Sequence, residues 1–485
     1  MKTIGLSTLF LILGITPCVL WCPSVQGQGS NKTLLAGAAK TNITPPLGTS
    51  LAGYMRDRRA AHIHDDLFAR SLVLDNGEAR IAFVICDSLA IYKKEIDKAK
   101  YLINEHTGIP PEQVLIAATH SHTAPTVVSV FQSEPDKEYA DWLVTRVVDS
   151  VRIAVNNLRP AKIGWGVGRE DSVVFNRRFF MKPGTTPPNP WGETDEAVKM
   201  NPGYENPNIV KPAGPIDPDL SILAVQDLDG DPIAVLGNYT LHYVGGGKGD
   251  DVSADYFGVW AEMIEREVGG DGEITKPPFV AMLTNGCSGD INNIDVRKRL
   301  EQPYPYHQMY EVARIVADKA REVVRNIDYH EWVPLAAKQT VLELGVRKPT
   351  ESEIKEAKSI LENAEEPLKT LREIYARETV LLAKRSDTVH TPVQALRIGE
   401  AGIVTFPGEA FVELGLEVKE DTPFPTTFCI ELANDYVGYI PTVQAHEQGG
   451  YETWRARSSF LEKDAAPAMI SAALDLLQDL RSMDK

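Results

Sequence analysis

The chain has 485 residues, 43% of them hydrophobic, with a formal net charge of −17 and a pI of about 5.1. That acidity argues against a nucleic-acid role, because phosphate binding needs a basic surface. Five cysteines without a Cys-x-x-Cys pair exclude a disulfide scaffold and a thiolate zinc finger.

Residues 1–27 read as a secretory signal. Lys2 supplies the charged start, and Ile4 to Leu20 is an apolar run broken by Gly and Pro. Val25-Gln26-Gly27 places the cut after Gly27. The protein is therefore expected to be exported, to the periplasm or outside the cell. No other stretch is long enough to span a bilayer. Cleavage leaves Cys86, Cys287 and Cys429, of which Cys86 and Cys429 sit in apolar runs that favour buried thiols. Residues 28–485 are expected to form one main domain.

Strand patterns follow at Arg70–Leu74 and Arg80–Cys86, joined by an Asp75-Asn76-Gly77 turn. Others fall at Val114–Ala118, Ala161–Val167, Ser221–Val225, Pro232–Leu236 and Phe279–Leu283. A later group lies at Ala337–Leu344, Val393–Ile398, Gly402–Thr405 and Thr427–Leu432. Helical periodicity marks Lys94–His106, Tyr139–Asn157, Asp255–Val268, Tyr306–Ile327, Ser352–Lys384, Glu409–Leu416 and Asp464–Asp479. The alternation predicts an α/β fold, and the hairpin links predict a mixed sheet. Residues 182–218, rich in Pro, Asn and Gly, are expected to be a long surface loop near the site. Residues 350–388, dense in Glu, Lys and Leu, are expected to be an inserted helical hairpin or one helix kinked at Pro367.

Chemistry concentrates at strand ends. Leu115-Ile-Ala-Ala-Thr-His120-Ser-His122 places two histidines one residue apart after an apolar strand. Alternation would turn both to one face, which is how a sheet presents imidazoles to a metal or a substrate carbonyl. His242 ends another strand. Glu409 follows a strand at a helix start, where its plainer reading is a partner of the helix dipole. Tyr436 and Tyr439 share a loop, and Leu283 to Asn293 is a Gly/Asn-rich turn. Ligands drawn from several strand ends match where open sheets place their sites. His62-Ile-His64-Asp65-Asp66 is a competing His-x-His, read as a strand start beside the site. Asp290 is expected to orient a ligand histidine. The Asn-x-Ser/Thr triplets at Asn31, Asn42 and Asn238 carry no assigned meaning.

Several of these segments together resemble the neutral/alkaline ceramidases, a family of zinc amidohydrolases. Ala-Thr-His120-Ser-His122-Thr-Ala-Pro is similar to the family's Ala-Thr-His-Thr-His-Ser-Gly-Pro. Phe406-Pro-Gly-Glu409, Tyr436-Val-Gly-Tyr439-Ile-Pro-Thr, Gly450-Tyr451-Glu452 and Asn176-Arg177 resemble further family motifs in the same order. The resemblance covers roughly residues 35–465. It implies the ceramidase catalytic fold, with Zn²⁺ held by His120, His242, Glu409 and Tyr439. It implies that His122 is the acid/base and that Tyr451 and Arg177 face the substrate carbonyl. Arg177 has a plainer reading as a partner of a surface carboxylate. The implied reaction is hydrolysis of a linear amide in an N-acyl lipid or other N-acylated molecule. A lipid substrate would bring the protein to a membrane surface; no protein partner is implied.

One departure matters. The family carries Gly-Asp-Val-Ser-Pro-Asn, whereas this chain reads Gly289-Asp290-Ile291-Asn292-Asn293. Asn292 cannot act as a hydroxyl nucleophile. Attack by metal-activated water is therefore expected, and ceramide itself becomes doubtful as substrate. The family's C-terminal β-sandwich domain is expected to be absent, since the chain ends at Lys485. Two other readings stay open: a metal-dependent esterase or acyl hydrolase, and a secreted ligand-binding relative without turnover.

Overall fold

A computed structural model describes residues 1–2, 5, 32–269, 276–299 and 301–483. The chain divides into Met1–Lys32 and Thr33–Lys485, and the elements below all lie in the second part. The expected leader lies outside the described residues, apart from Met1, Lys2 and Gly5. Asn31 also lies outside them. No helix among the described residues is long and apolar enough to cross a membrane.

An eight-stranded sheet forms the frame. Its strands are β1 (Leu34–Asn42), β2 (Phe68–Asp75), β3 (Arg80–Cys86), β4 (Val114–Ala118), β5 (Arg159–Arg169), β6 (Asp219–Asp227), β7 (Pro232–Tyr239) and β8 (Val280–Asn285). The spatial order is β8-β7-β6-β5-β1-β2-β3-β4. The two outer pairs, β7/β8 and β3/β4, are parallel and the rest antiparallel. The sheet is thus mixed, as the sequence predicts. A second sheet joins β9 (Leu335–Gly345), β10 (Thr388–Ile398), β11 (Ala401–Thr405) and β12 (Thr426–Ile430) in that order.

The large sheet curls until β8, at one edge, comes against β2, β3 and β4 towards the other. Small inward residues permit this: Ala36 and Ala38 on β1, Ala117 on β4 and Ala234 on β7 join one apolar cluster. Leu396, Ile403 and Phe428 of the second sheet fill the same cluster. Curling brings the far ends of β4 and β7 together. The His120 loop leaves β4 and the His242 loop leaves β7, so the curl is what makes one site from two distant strands.

Helices cover the outside. Helices α1 (Lys93–Thr107) and α2 (Lys137–Asn156) pack Ile96, Ile103, Leu143 and Val147 onto Val73, Val84 and Ile116. Helices α3 (Asp255–Gly269) and α4 (His307–Arg325) pack Trp260 and Val316 onto Ile222 and Val235. Burying apolar side chains of this size is worth roughly 1.5–3 kcal/mol each. Residues 350–388 form a hairpin of α5 (Glu351–Glu362) and α6 (Leu371–Ala383), each opened by a capping box, at Thr350 and Thr370. Helix α7 (Val412–Asp421) crosses from β11 to β12 of the second sheet, and α8 (Ala465–Ser482) packs on that sheet.

The region 182–218 differs from the expected loop. Val198–Met200 and Ile209–Pro212 pair on either side of Arg178–Met181 as a small sheet. Cys86, Cys287 and Cys429 are buried free thiols. Asn238 is buried, donating to Thr284 Oγ1 and the Cys429 carbonyl, so this triplet cannot accept a glycan in the folded chain.

Lys100 lies on the buried face of α1, only 5% exposed. Burial lowers its pKa to about 7, with Asp97 opposing. An unfolded lysine titrates near ~10.4. Between the two values the unfolded chain binds the extra proton, so stability falls as pH drops from ~10 to about 7. Lys100→Met is expected to stabilise the protein on the order of 2 kcal/mol at pH 7 and to have little effect above pH ~10.5. Thermal unfolding at both pH values checks this; equal effects would refute the titration argument.

Candidate metal centre and active site

His120 and His122 do not lie on the strand. β4 ends at Ala118, and both histidines occupy the turn that follows. Their convergence comes from His120, whose φ of 73° is left-handed, not from strand alternation. The turn is pinned: Thr119 N–H donates to the Cys86 carbonyl and His120 N–H to the Ser88 carbonyl.

Three imidazoles meet. His120 Nε2 lies 3.1 Å from His242 Nε2 and 3.1 Å from His122 Nε2. His120 Nδ1 faces the Leu89 carbonyl at 2.9 Å, and His242 Nδ1 faces the Ser288 carbonyl at 3.1 Å. A carbonyl only accepts, so each Nδ1 carries its proton and each Nε2 presents a lone pair. Two lone pairs facing at that distance repel unless a cation or a proton lies between them.

Glu409 joins the imidazoles. Its Oε2 lies 3.3 Å from His120 Nε2 and 3.8 Å from His242 Nε2. Oxygen and nitrogen ligands tetrahedral about zinc stand about 3.3 Å apart. Glu409 Oε2 is buried and has no hydrogen-bond partner among the described residues. Such an atom in a 3%-exposed carboxylate is costly unless a cation satisfies it. Burial pushes the Glu409 pKa up, but His120, Tyr439 and Arg177 outweigh it and hold the group ionised. His120, His122 and His242 are close enough to hold a metal ion together, and the donor set of imidazoles and carboxylate suits zinc.

Glu409 is not at a helix start. It pairs with Tyr439 in a two-residue parallel ladder, and α7 begins three residues later. That ladder sets Tyr439 beside the carboxylate. Tyr436, from the same loop, donates to Glu409 Oε1 at 3.0 Å. Tyr451 meets Tyr439 edge to face at 5.8 Å.

Arg177 is buried, not a surface group. Its Nε donates to Glu452 Oε1 at 2.9 Å, and its Nη2 to the Gly289 carbonyl at 2.7 Å and to Tyr439 Oη at 3.1 Å. Arg178 Nη1 donates to the other Glu452 oxygen at 2.8 Å. Asp290 touches no histidine, contrary to expectation. Its oxygens accept from Val412 N–H and Asn176 Nδ2, and its carbonyl accepts from Arg177 N–H. It therefore secures the start of α7 and the Arg177 strand.

His122 is framed by residues that carry no signal in the sequence. Tyr243 stacks on its ring at 3.6 Å and 15°. Arg58 Nη2 donates to its carbonyl at 2.6 Å and the guanidinium lies over Tyr54. Gly53, with φ of 99°, approaches so closely that a Cβ would stand 2.6 Å from the ring. Burial lowers the His122 pKa well below the usual histidine value, with His120, Arg177 and Arg58 adding to the effect. His62 and His64 stand apart from this centre. His62 is exposed near Asp251, while His64 pairs with Asp65 and stacks on Tyr306. The doubled arginine within Val173 to Met181 was the available sign that a buried carboxylate, Glu452, must lie opposite.

A cavity of about 470 Å³ opens over these groups. His122, Arg177, His242, Tyr439 and Tyr451 all reach its wall. Thr186 to Pro188 and Val198 to Asn201 contribute too, so region 182–218 does border the site. Leu371 of α6 lines the same cavity.

The family model for neutral/alkaline non-lysosomal ceramidase, N-terminal, matches residues 34–295, more than half of the chain. The chain belongs to the neutral/alkaline non-lysosomal ceramidase family. Within it, neutral ceramidase B of Dictyostelium discoideum is 24% identical over 255 residues, 50% of this chain and 33% of that protein. Neutral ceramidase of Pseudomonas aeruginosa is 22% identical over 288 residues, 57% of this chain and 39% of that protein. The matched chain thus spans a third to two fifths of the length of these curated relatives. The crystal structure of the Pseudomonas aeruginosa neutral ceramidase superposes with a TM-score of 0.70 at 18% identity, covering 93% of this chain and 75% of that one. A ceramidase complexed with C2 gives 0.68 at 17%, covering 93% and 76%. The ceramidase fold is therefore the fold of this chain.

Proposed function

We propose that the chain is an exported, zinc-dependent amidohydrolase that cleaves the amide of an N-acyl lipid or a related N-acylated molecule. The observation that carries this reading is the meeting of three Nε2 atoms beside an unpartnered Glu409 oxygen. Family membership supports the amide as the bond and a ceramide-like molecule as the substrate class. We take residues 1–27 as the export signal and 28–485 as one hydrolase domain with its helical insertion at 350–388.

In this proposal His120, His242, Glu409 and Tyr439 hold the zinc. When bound, zinc supplies a Lewis acid able to bring the pKa of water down towards ~7. His122, kept neutral, takes the proton of the attacking water at Nε2 and returns it to the leaving amine. Tyr451 and Arg177 donate to the carbonyl oxygen as it gains charge. Arg177 Nη1 is the guanidinium nitrogen left for this, since Nε and Nη2 are engaged. Asn292 takes no part as nucleophile. Its side chain is tied to Asn201 and to Ile294 N–H.

Metal analysis with an amide assay tests the reading. Purified protein is expected to hold zinc, to lose amide hydrolysis on complete chelation and to regain it with added zinc. Undiminished turnover by metal-free protein would overturn it. A parallel panel of esters separates an esterase from an amidase.

A further inference from the structure

Part of the cavity wall has a polarity that the proposed reaction does not use. Lys199, Asn201 and Asn292 line it. Asn292 sits in the Ile291–Asn292 ladder against Phe175–Asn176, opposite Phe175. Its Oδ1 accepts from Ile294 N–H at 3.0 Å. A backbone N–H can only donate, so the orientation of this amide is fixed. Asn292 Nδ2 must then donate to Asn201 at 2.6 Å, which makes that atom the Asn201 oxygen. Asn201 is itself anchored, its N–H donating to the Arg177 carbonyl at 2.8 Å with φ of 45°.

Each side-chain oxygen thereby already accepts one hydrogen bond inside the protein. Of these two cavity-lining amides, Asn201 Nδ2 and the second proton of Asn292 Nδ2 are donors without a partner among the described residues. Lys199, two residues before Asn201, adds an ammonium with no ion pair among the described residues. Glu196 is the carboxylate among the lining residues, and its Oε1 already accepts from Trp454 Nε1 at 2.7 Å. Asn293, Thr186 and Tyr54 also line the cavity and can accept from hydroxyls, so what sets this part of the wall apart is its cation beside amide donors. A carboxylate accepts only, and matches a cationic donor set through charge-assisted bonds.

We propose that the acylated amine of the substrate carries a carboxylate, so that the chain acts on N-acyl amino acids in preference to neutral N-acyl amino alcohols. This rests on the amidohydrolase reading above. N-dodecanoylserine and N-dodecanoylserinol test it, because they differ only in a carboxylate against a hydroxymethyl group. Zinc-loaded wild-type protein is expected to favour the serine compound at least ~10-fold in kcat/KM, mainly through KM. The preference should collapse in Lys199→Gln and invert in Asn201→Asp, which keeps the bond from Asn292 but replaces a donor with a charge. Equal or better turnover of the serinol compound overturns the inference. Turnover of neither compound counts against the amidohydrolase reading instead. Calorimetric binding then decides the specificity separately: tighter binding of dodecanoylserine upholds it and equal binding overturns it.

Discussion

His242→Ala is expected to abolish retention of a stoichiometric divalent cation and to lower amide turnover by at least about a thousandfold. The reasoning starts from the two backbone carbonyls behind the imidazoles. Leu89 and Ser288 fix the tautomers of His120 and His242, so both Nε2 lone pairs aim at one point. Removing this imidazole leaves His120, Glu409 and Tyr439, three of the four proposed ligands and only one of them an imidazole, a weaker set for zinc. Metal-free protein should respond in the opposite sense, because the variant relieves the repulsion between the facing nitrogens. The signature is therefore a large loss of activity and of zinc-induced thermal stabilisation with little loss of apo stability. Acid should mimic the variant. Burial, reinforced by Arg177, His120 and His122, keeps His242 neutral well below the usual histidine pKa. The unfolded chain takes up that proton near pH ~6.5. Stability conferred by the centre is full above that pH and declines as pH falls below it. Retained zinc and turnover in His242→Ala would exclude the centre.

Glu452→Gln is expected to destabilise the protein by roughly 3–5 kcal/mol. Glu452 has no exposed side-chain surface and receives Arg177 on one oxygen and Arg178 on the other. Those guanidiniums are themselves only 6% and 2% exposed. A glutamine keeps the shape but can accept on one atom only, leaving two buried cations without a countercharge. Chemical denaturation should show the loss directly. Turnover should fall as well, since Arg177 loses the bond that aims its Nη1 at the cavity. Arg178→Met in the same background should recover part of the stability and none of the lost turnover, because it removes one uncompensated charge and leaves Arg177 unanchored. Unchanged stability in Glu452→Gln would mean that the cations find water or another partner.

Much of this arrangement could be read from the sequence, for identifiable reasons. β4 and β3 match their expected spans because Val-Leu-Ile-Ala-Ala and Ile-Ala-Phe-Val-Ile-Cys are continuous apolar runs flanked by turn residues. β1 escaped, though it lies in the middle of the sheet. Leu34-Leu-Ala-Gly-Ala-Ala-Lys-Thr-Asn has little intrinsic strand preference, and its small side chains are there so that the sheet can curl. Of the two forms expected for residues 350–388, the hairpin of α5 and α6 is the one formed, because the segment Asn363 to Thr370 supplies a stop, a proline and a second capping box. At the site, the His, Glu and Tyr positions stood out by residue type and spacing. Tyr243, Gly53 and Arg58 did not, since stacking and close approach leave no periodic trace. The expected face shared by His120 and His122 was a correct meeting for the wrong reason, left-handed backbone in place of alternation.

The α5/α6 hairpin enters from the end of β9 and returns at the start of β10, two strands already zipped along eleven residue pairs. Leu371 opens α6 and lines the cavity. Ile374 and Tyr375 bury the hairpin against Leu89, Ala118 and Tyr436, and its buried Glu378 pairs with Arg457, so it is keyed into the frame around the metal-ligand loops. A change at Leu371 therefore reshapes the cavity mouth from a rigid mount, whereas exchange of the whole hairpin would also disturb the packing behind His120 and Tyr436.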